Sequence, residues 1–411
     1  MKTLLTKLKT VQGLDSGPLA PHIPMYLARV HEHGYKLKTI RRHLCLLADF
    51  NRWLVRTGRG LRDVNERAID AFLRRLFRQR TWREGERQSL LRMLCILRET
   101  CAAPQAETVP LTPAQALAAR YRRYLTEERG CSDWTVVNYG RHIDRFVAQR
   151  FGAGAVRGER LRARDVIAFV QREAGRHGRG YILQVVTALR SFLRFLRYRG
   201  DITTDLAAAV PSVASWPRSD LPKHLPAEAV QAVLDSCDLT TIVGRRDYAI
   251  LLLLARLGLR AGEVVTLQLE DIDWDNGQLT IRSKKGNGWA RLPLPSDVGK
   301  AISRYLRLDR PRCSCRNVFV RTAAPYQRLA DQSVISSLTR SAIQRAGVES
   351  VRKGAHLFRH SLATAMLRRG ASLDEIGQVL RHKDADTTAI YAKVDLDALR
   401  RLAVPWPGGG L

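Results

Sequence analysis

Residues 210–226, VPSVASWPRSDLPKHLP, carry four prolines and no hydrophobic periodicity. Each proline fixes φ and removes a backbone donor, so this stretch can be neither a helix interior nor a central strand. It is expected to be a linker, and it divides a chain of 411 residues, long enough for two or three domains, into a front part and a back part of different character.

The front part reads as helical. In segment 39–54, Ile40, Leu44, Leu47 and Leu54 fall on one face at helical spacing, and Val136, Tyr139, Ile143 and Phe146 do the same in 135–151. The two segments look like copies. Gly34, Thr39 and Phe50 match Gly130, Thr135 and Phe146 at a constant offset of 96, and Ile69, Ala71 and Phe72 match Val166, Ala168 and Phe169 at 97. Both copies end in a basic apolar helix, LLRMLCILR at 90–98 and ALRSFLRFLR at 188–197. The pattern predicts a duplicated four-helix unit, about 20–100 and 115–203, with domain limits at 1–110 and 111–209.

Beyond the linker, residues 227–405 form a third domain before a Pro/Gly-rich tail, 406–411. Helices are expected at 227–237, 246–258, 332–346, 357–369, 373–380 and 387–392. Strands are expected at 278–283 and 290–295, joined through KKGNGW, whose two glycines suit a hairpin turn. A last segment, 395–403, sets Leu396, Leu399 and Leu402 in a narrow apolar stripe. The expected fold class is mainly α with a small β-sheet: helical N-terminal domains followed by a mixed α/β domain.

Charge narrows the partners. Sixty-nine Lys and Arg against 39 Asp and Glu give a net charge of +30. Such a surplus calls for a polyanion, and nucleic acid repays it through release of condensed counterions. The first hundred residues alone hold 21 basic and 9 acidic residues. Lys38, Arg41, Arg52 and Arg56 fall on one face of the predicted helix 39–54 and its ends, opposite the apolar face, and are candidate DNA contacts together with Arg141, Arg145 and Lys284. The seven cysteines are scattered without a C-x-x-C pair, which reads as reduced thiols in a cytoplasmic, nucleoid-associated protein. The lysine-threaded start MKTLLTKLKT lacks the apolar core of a signal peptide, and no G-x-x-x-x-G-K-[ST] loop marks a nucleotide-driven motor.

Four segments of the back part carry chemistry in combination: LARLGLRAGEVVTLQLEDID at 254–273, SKKGNGWARLPLP at 283–295, HLFRHSLATAMLRRG at 356–370 and VLRHKDADTTAIYAKV at 379–394. Arginine suits a phosphodiester, because its fork donates two parallel hydrogen bonds and stays charged. His356 and Arg359, three apart on a helix, share a face. A tyrosine hydroxyl, with an ordinary pKa near ~10, attacks only with a base or a strongly positive surrounding. Singly, each of these residues has a bland reading as a core or surface side chain; in this order and spacing they do not. His360 reads as a structural histidine. Glu263 and Asp271 read either as partners that orient arginines or as surface charges.

Together these segments resemble the catalytic domain of the tyrosine recombinase (phage integrase) family over about 225–405, and residues 115–203 are similar to its helical core-binding domain. The resemblance implies an active site of Arg260 (in GLRAGE), Lys285 (in KKGN), His356 and Arg359 (the H-x-x-R pair), His382, and the nucleophile Tyr391, nine residues beyond. Lys284 is the alternative to Lys285, because SKKG stands where the family has a small residue, Lys and Gly. In the chemistry implied, Tyr391 forms a 3′-phosphotyrosyl link, His356 takes its proton, the hairpin lysine protonates the leaving 5′ oxygen, and neither metal, cofactor nor ATP is needed. The implied partners are double-stranded DNA at specific sites, further copies of the chain in dimers and tetramers on DNA, with segment 395–403 docking on a neighbour, and other recombinases. Integration, excision, resolution and transposition would all use this site. A type IB topoisomerase and an inactive DNA-binding relative are the alternatives.

Overall fold

The computed structural model describes residues 14–78, 80–81, 83–105, 110–152, 154–214, 223–282, 288–351, 353–382 and 384–394. It is mainly helical with one small antiparallel sheet. The chain falls into two compact units, Ala106–Pro217 in one and Met1–Gln105 with Arg218–Leu411 in the other.

The first helical region runs α1 (Ile23–Glu32), α2 (Leu37–Arg56), α3 (Glu66–Phe77) and α4 (Glu86–Glu99). Its core is the apolar face anticipated from spacing, with Ile40, Leu44, Leu47 and Leu54 buried beside Phe50, Ile69, Phe72 and Leu94. Phe50 stacks on Trp53, and both meet Phe72. The buried Tyr26 hydroxyl is satisfied by Ser89 at 2.7 Å and His43 at 3.2 Å, as a polar atom in an apolar core must be. Asn65 caps α3 by accepting the Ala68 amide.

The Ala106–Pro217 unit has the same order: α5 (Pro113–Glu127), α6 (Asp133–Phe151), α7 (Ala163–Ala174) and α8 (Arg179–Tyr198). Tyr121, Ile143, Phe146, Phe169, Phe192 and Phe195 form its core. Gly34 and Gly130, the matched pair, both lie just beyond the first helix of their set at positive φ, +77° and +55°. The proline-rich stretch is anchored at both described ends: Val210 is buried in the α5–α8 core, and Leu225 in the core of the region that follows. Residues 215–222 between them are outside the described residues.

That last region begins with α9 (Ala227–Asp235), the buried α10 (Ile242–Leu257) and the short α11 (Ala261–Thr266). Strands β1 (Ile272–Asp273), β2 (Gln278–Arg282) and β3 (Trp289–Pro293) pair antiparallel in that order, with Leu279 opposite Leu292 and Thr280 opposite Arg291. Strand β3 stops short of 295 because Pro295 has no amide hydrogen to donate and leads into α12 (Ser296–Leu308). There follow α13 (Gln332–Arg345), α14 (His356–Arg368), α15 (Leu373–Leu380), α16 (Ala385–Thr388) and a 3-10 turn, Ala389–Val394. The helix expected at 387–392 is thus split after Thr388, which spends its hydroxyl on His382. Helix α10 packs against α12 and α14 and gives this region its centre. No helix among the described residues is long and apolar enough to cross a membrane.

Candidate active site

The site grows out of the end of α10. Gly258 terminates that helix in the left-handed region (φ +57°), where a side chain is strained and a Cβ would press on Leu380 and Leu362. The reversal sets Arg260 at the start of α11. There Glu263 receives the Arg260 backbone amide on one oxygen and its Nη1 on the other, both at 2.8 Å. The oxygen that takes the amide also accepts Nη2 of Arg381 at 2.9 Å. Burial pushes the Glu263 carboxyl up, but Arg381 and Arg260 more than offset this and hold it below the usual carboxylate range. Glu263 is therefore an orienting partner of arginines, one of the two readings left open by sequence.

Arg359 approaches from α14 and is 3% exposed. Its Nη1 donates to the Gly258 carbonyl at 2.6 Å and its Nη2 to the Leu380 carbonyl. Arg260 Nη2 donates to the next carbonyl, that of Arg381, at 3.2 Å. Two guanidinium groups thus sit on consecutive carbonyls at the C-terminal end of α15, where orphan acceptors and the helix dipole both favour cations. Burial lowers the Arg359 pKa to about 10, assisted by the charges of Arg260 and Arg381, which leaves it protonated at neutral pH.

His382 follows directly. Its Nδ1 lies 2.7 Å from the buried Thr388 hydroxyl, and burial with the nearby charges of Arg359 and Arg260 lowers its pKa to about 4. His356 opens α14 with its side chain exposed on one side; desolvation on the other, then Arg359 and Arg260, lower its pKa. Tyr391, on the 3-10 turn, is 1% exposed and packs with Ala363, Ile376 and Leu380. Its hydroxyl lies 2.9 Å from Nδ1 of His360. Burial pushes the phenol up to about 12, against the charge of Arg359.

Arg260, His356, Arg359, His382 and Tyr391 are thus gathered around the end of α15. Lys284 and Lys285 lie outside the described residues, as does segment 395–403. The strand that leads to the lysines is held by Asp271, which accepts Arg282 Nε and the Gln268 amide, each at 2.8 Å. Two features of the site were missed in the sequence. Arg381 is a non-glycine residue at positive φ (+55°) with a buried guanidinium on Glu263, and His360 meets the tyrosine hydroxyl. A hint was available in their positions, each adjacent in sequence to a residue of the expected set.

Among the candidate DNA contacts, Lys38, Arg41, Arg52 and Arg56 are exposed on α2, and Arg141 is exposed on α6. Arg145 is committed inward, to the buried Glu173 at 2.7 Å and to the Tyr181 hydroxyl, so it holds α6 to α7 and α8.

Residues 223–397 match the model of the phage integrase family, and residues 118–200 match the phage integrase N-terminal SAM-like domain. The chain is 45% identical over 394 residues to a protein of Sinorhizobium fredii named as an integrase/recombinase, covering 95% of both chains, an extent that takes in the first helical region as well. It is 30% identical over 282 residues to the tyrosine recombinase XerD of Listeria monocytogenes, across 67% of this chain and 92% of that one. In fold it is similar to the XerH site-specific recombinase in its post-cleavage complex with a palindromic difH substrate, with a TM-score of 0.55 and 18% identity over 70% of this chain and 84% of that one. The chain belongs to the phage integrase family of tyrosine recombinases, enzymes that break and rejoin DNA.

Proposed function

We propose that the chain is a site-specific recombinase that cleaves duplex DNA through a 3′-phosphotyrosyl link from Tyr391. The observation that carries this reading is the placement of Arg260 and Arg359 on the carbonyls of Arg381 and Leu380, with Leu380 also packed on Tyr391. A guanidinium has five donors, so anchoring to carbonyls leaves donors for the non-bridging oxygens of a scissile phosphate. Cations fixed before the substrate arrives stabilise the charge that develops in the pentacoordinate transition state without reorganising. As the Tyr391 oxygen bonds to phosphorus, the bond to the 5′ oxygen breaks, and that oxygen takes a proton from the hairpin lysine, Lys285 or its neighbour Lys284. His382 hydrogen-bonds the phosphate. The phosphotyrosine keeps the energy of the broken bond, so rejoining requires neither ATP nor a metal.

The family resemblance extends the proposal to assembly: two protomers on each recombination site, a tetramer for strand exchange, and segment 395–403 docked on a neighbour. The exposed basic face of α2 supports a DNA contact by the first helical region beside the core site.

The decisive experiment incubates wild type and Tyr391→Phe with a nicked duplex and resolves products on a denaturing gel. The Phe variant binds DNA and gives no covalent band; an undiminished band would overturn the assignment. A substrate with a 5′-bridging sulfur then separates the lysines. A thiolate leaves without a proton, so this substrate rescues Lys285→Ala, and rescue of Lys284→Ala in its place would move the role back one residue.

A further inference from the structure

The proposed mechanism needs a group that takes the phenol proton, and the two histidines of α14 are not equivalent candidates. His356 and His360 are one turn apart on the same helix, with ring centroids 6.4 Å apart. His356 begins the helix with its side chain exposed. His360 is partly covered and turned inward, its Nδ1 2.9 Å from the Tyr391 hydroxyl and its ring 5.7 Å from the tyrosine ring. A phenol buried to 1% exposure has one proton to give, and the described hydrogen-bond partner of that hydroxyl is His360. An imidazole with its proton on Nε2 presents Nδ1 as an acceptor in the required direction. Proton transfer over hydrogen-bond distance is the geometric condition for a general base.

We propose that His360 is the general base of this enzyme. The Tyr391 phenol proton passes to Nδ1 of His360 as the phenolic oxygen bonds to phosphorus; the bond from phosphorus to the 5′ oxygen breaks, and that oxygen takes its proton from the hairpin lysine. On rejoining, the 5′ hydroxyl returns its proton, and the departing tyrosine oxygen recovers the proton held on His360. His356 is left to the phosphate. This rests on the reading of Tyr391 as nucleophile. Among the described residues, the charged and titratable groups around His360 include His356 and Arg359 on its own helix, His382 after α15, and Tyr391 on the 3-10 turn. Burial pushes the phenol up further, to about 12, which adds to the need for a base.

The test is single-turnover formation of the covalent adduct on a nicked duplex across pH 6 to 9.5, for wild type, His360→Asn, His360→Ala, His356→Asn and Tyr391→Phe. Asparagine can accept the tyrosine hydrogen bond but cannot take the proton. His360→Asn is expected to be slower by ~10²-fold or more at neutral pH, the usual worth of a general base, with a rate that climbs through the alkaline range as solvent takes over the proton. DNA binding and the melting temperature stay near wild type, and added imidazole restores part of the rate of His360→Ala. A His360→Asn enzyme with the wild-type rate and pH profile would show that His360 only holds the tyrosine, and overturn the proposal. So would absence of imidazole rescue in a folded, DNA-binding His360→Ala, or transfer of the altered pH profile to His356→Asn. An adduct from Tyr391→Phe would bring down the nucleophile reading itself, an outcome distinct from these.

Discussion

The basic residues of the catalytic region and those of the first helical region are handled in opposite ways. Arg359 is 3% exposed with its fork on two backbone carbonyls, and Arg260 and Arg381 share one half-buried carboxylate. On α2, Lys38, Arg41, Arg52 and Arg56 stand exposed, and the ion pair that Arg52 makes with Asp49 is itself largely solvated. An exposed pair of that kind is worth little and yields readily to a competing anion. A buried cation held by several acceptors cannot move without leaving them unsatisfied. The first arrangement suits one phosphate met in one geometry. The second suits a run of phosphates met in any of several.

The largest effect that could break this contrast is chemical. Arg260→Lys keeps the charge but loses the planar fork, and so cannot serve Glu263 and the Arg381 carbonyl together with a phosphate. Cleavage of a nicked duplex at saturating enzyme is expected to fall by ~10²–10³-fold, the cost of one lost transition-state donor, with little change in DNA affinity. Single-turnover rates close to wild type would show that Arg260 does not hold the scissile phosphate. A smaller and different effect is expected from the exposed set. Lys38→Ala, Arg41→Ala, Arg52→Ala and Arg56→Ala combined should lower the slope of log affinity against log salt by ~0.9 for each phosphate that is no longer neutralised, and leave cleavage at saturating DNA unchanged. The measurement is a salt titration of binding with a footprint on the same site. An unaltered slope and footprint would assign this helix face to protein contact.

Parts of this molecule were legible in sequence for a physical reason. Helices α2 and α6 announce themselves because one apolar face must repeat at helical spacing. The expected active-site residues fall in short contiguous segments, so their order and spacing survive in one dimension. Which histidine meets Tyr391 was not legible. The contact with His360 depends on where the 3-10 turn that follows α16 from Ala389 sets the tyrosine. Arg381 was missed because a positive φ at a non-glycine residue leaves no compositional mark. Nor does periodicity tell which regions of the chain meet. The first helical region shares a compact unit with the catalytic region, and a contact between residues some 290 positions apart has no local signature.

One such contact supplies the finest test of the comparison. Gly34 and Gly130 hold the same place in the two helical sets, yet a Cβ on Gly130 would meet nothing within 4 Å, while one on Gly34 would collide with the ring of Tyr326 from the catalytic region. The Tyr326 amide also donates to the His33 carbonyl at 3.2 Å. Alanine at either glycine should cost ~1–2 kcal/mol for its left-handed backbone. Gly34→Ala should cost a further ~1–3 kcal/mol, because the ring must give way in a packed contact. Tyr326→Ala removes the obstacle, so the double variant should be more stable than the two single effects added together would make it, by ~0.5–3 kcal/mol. Gly130→Ala with Tyr326→Ala should simply add. Denaturant unfolding of the five proteins and wild type completes both cycles. Additivity in the Gly34 cycle would mean that the ring does not press on this turn in solution, and that the first helical region is held to the catalytic region by other contacts.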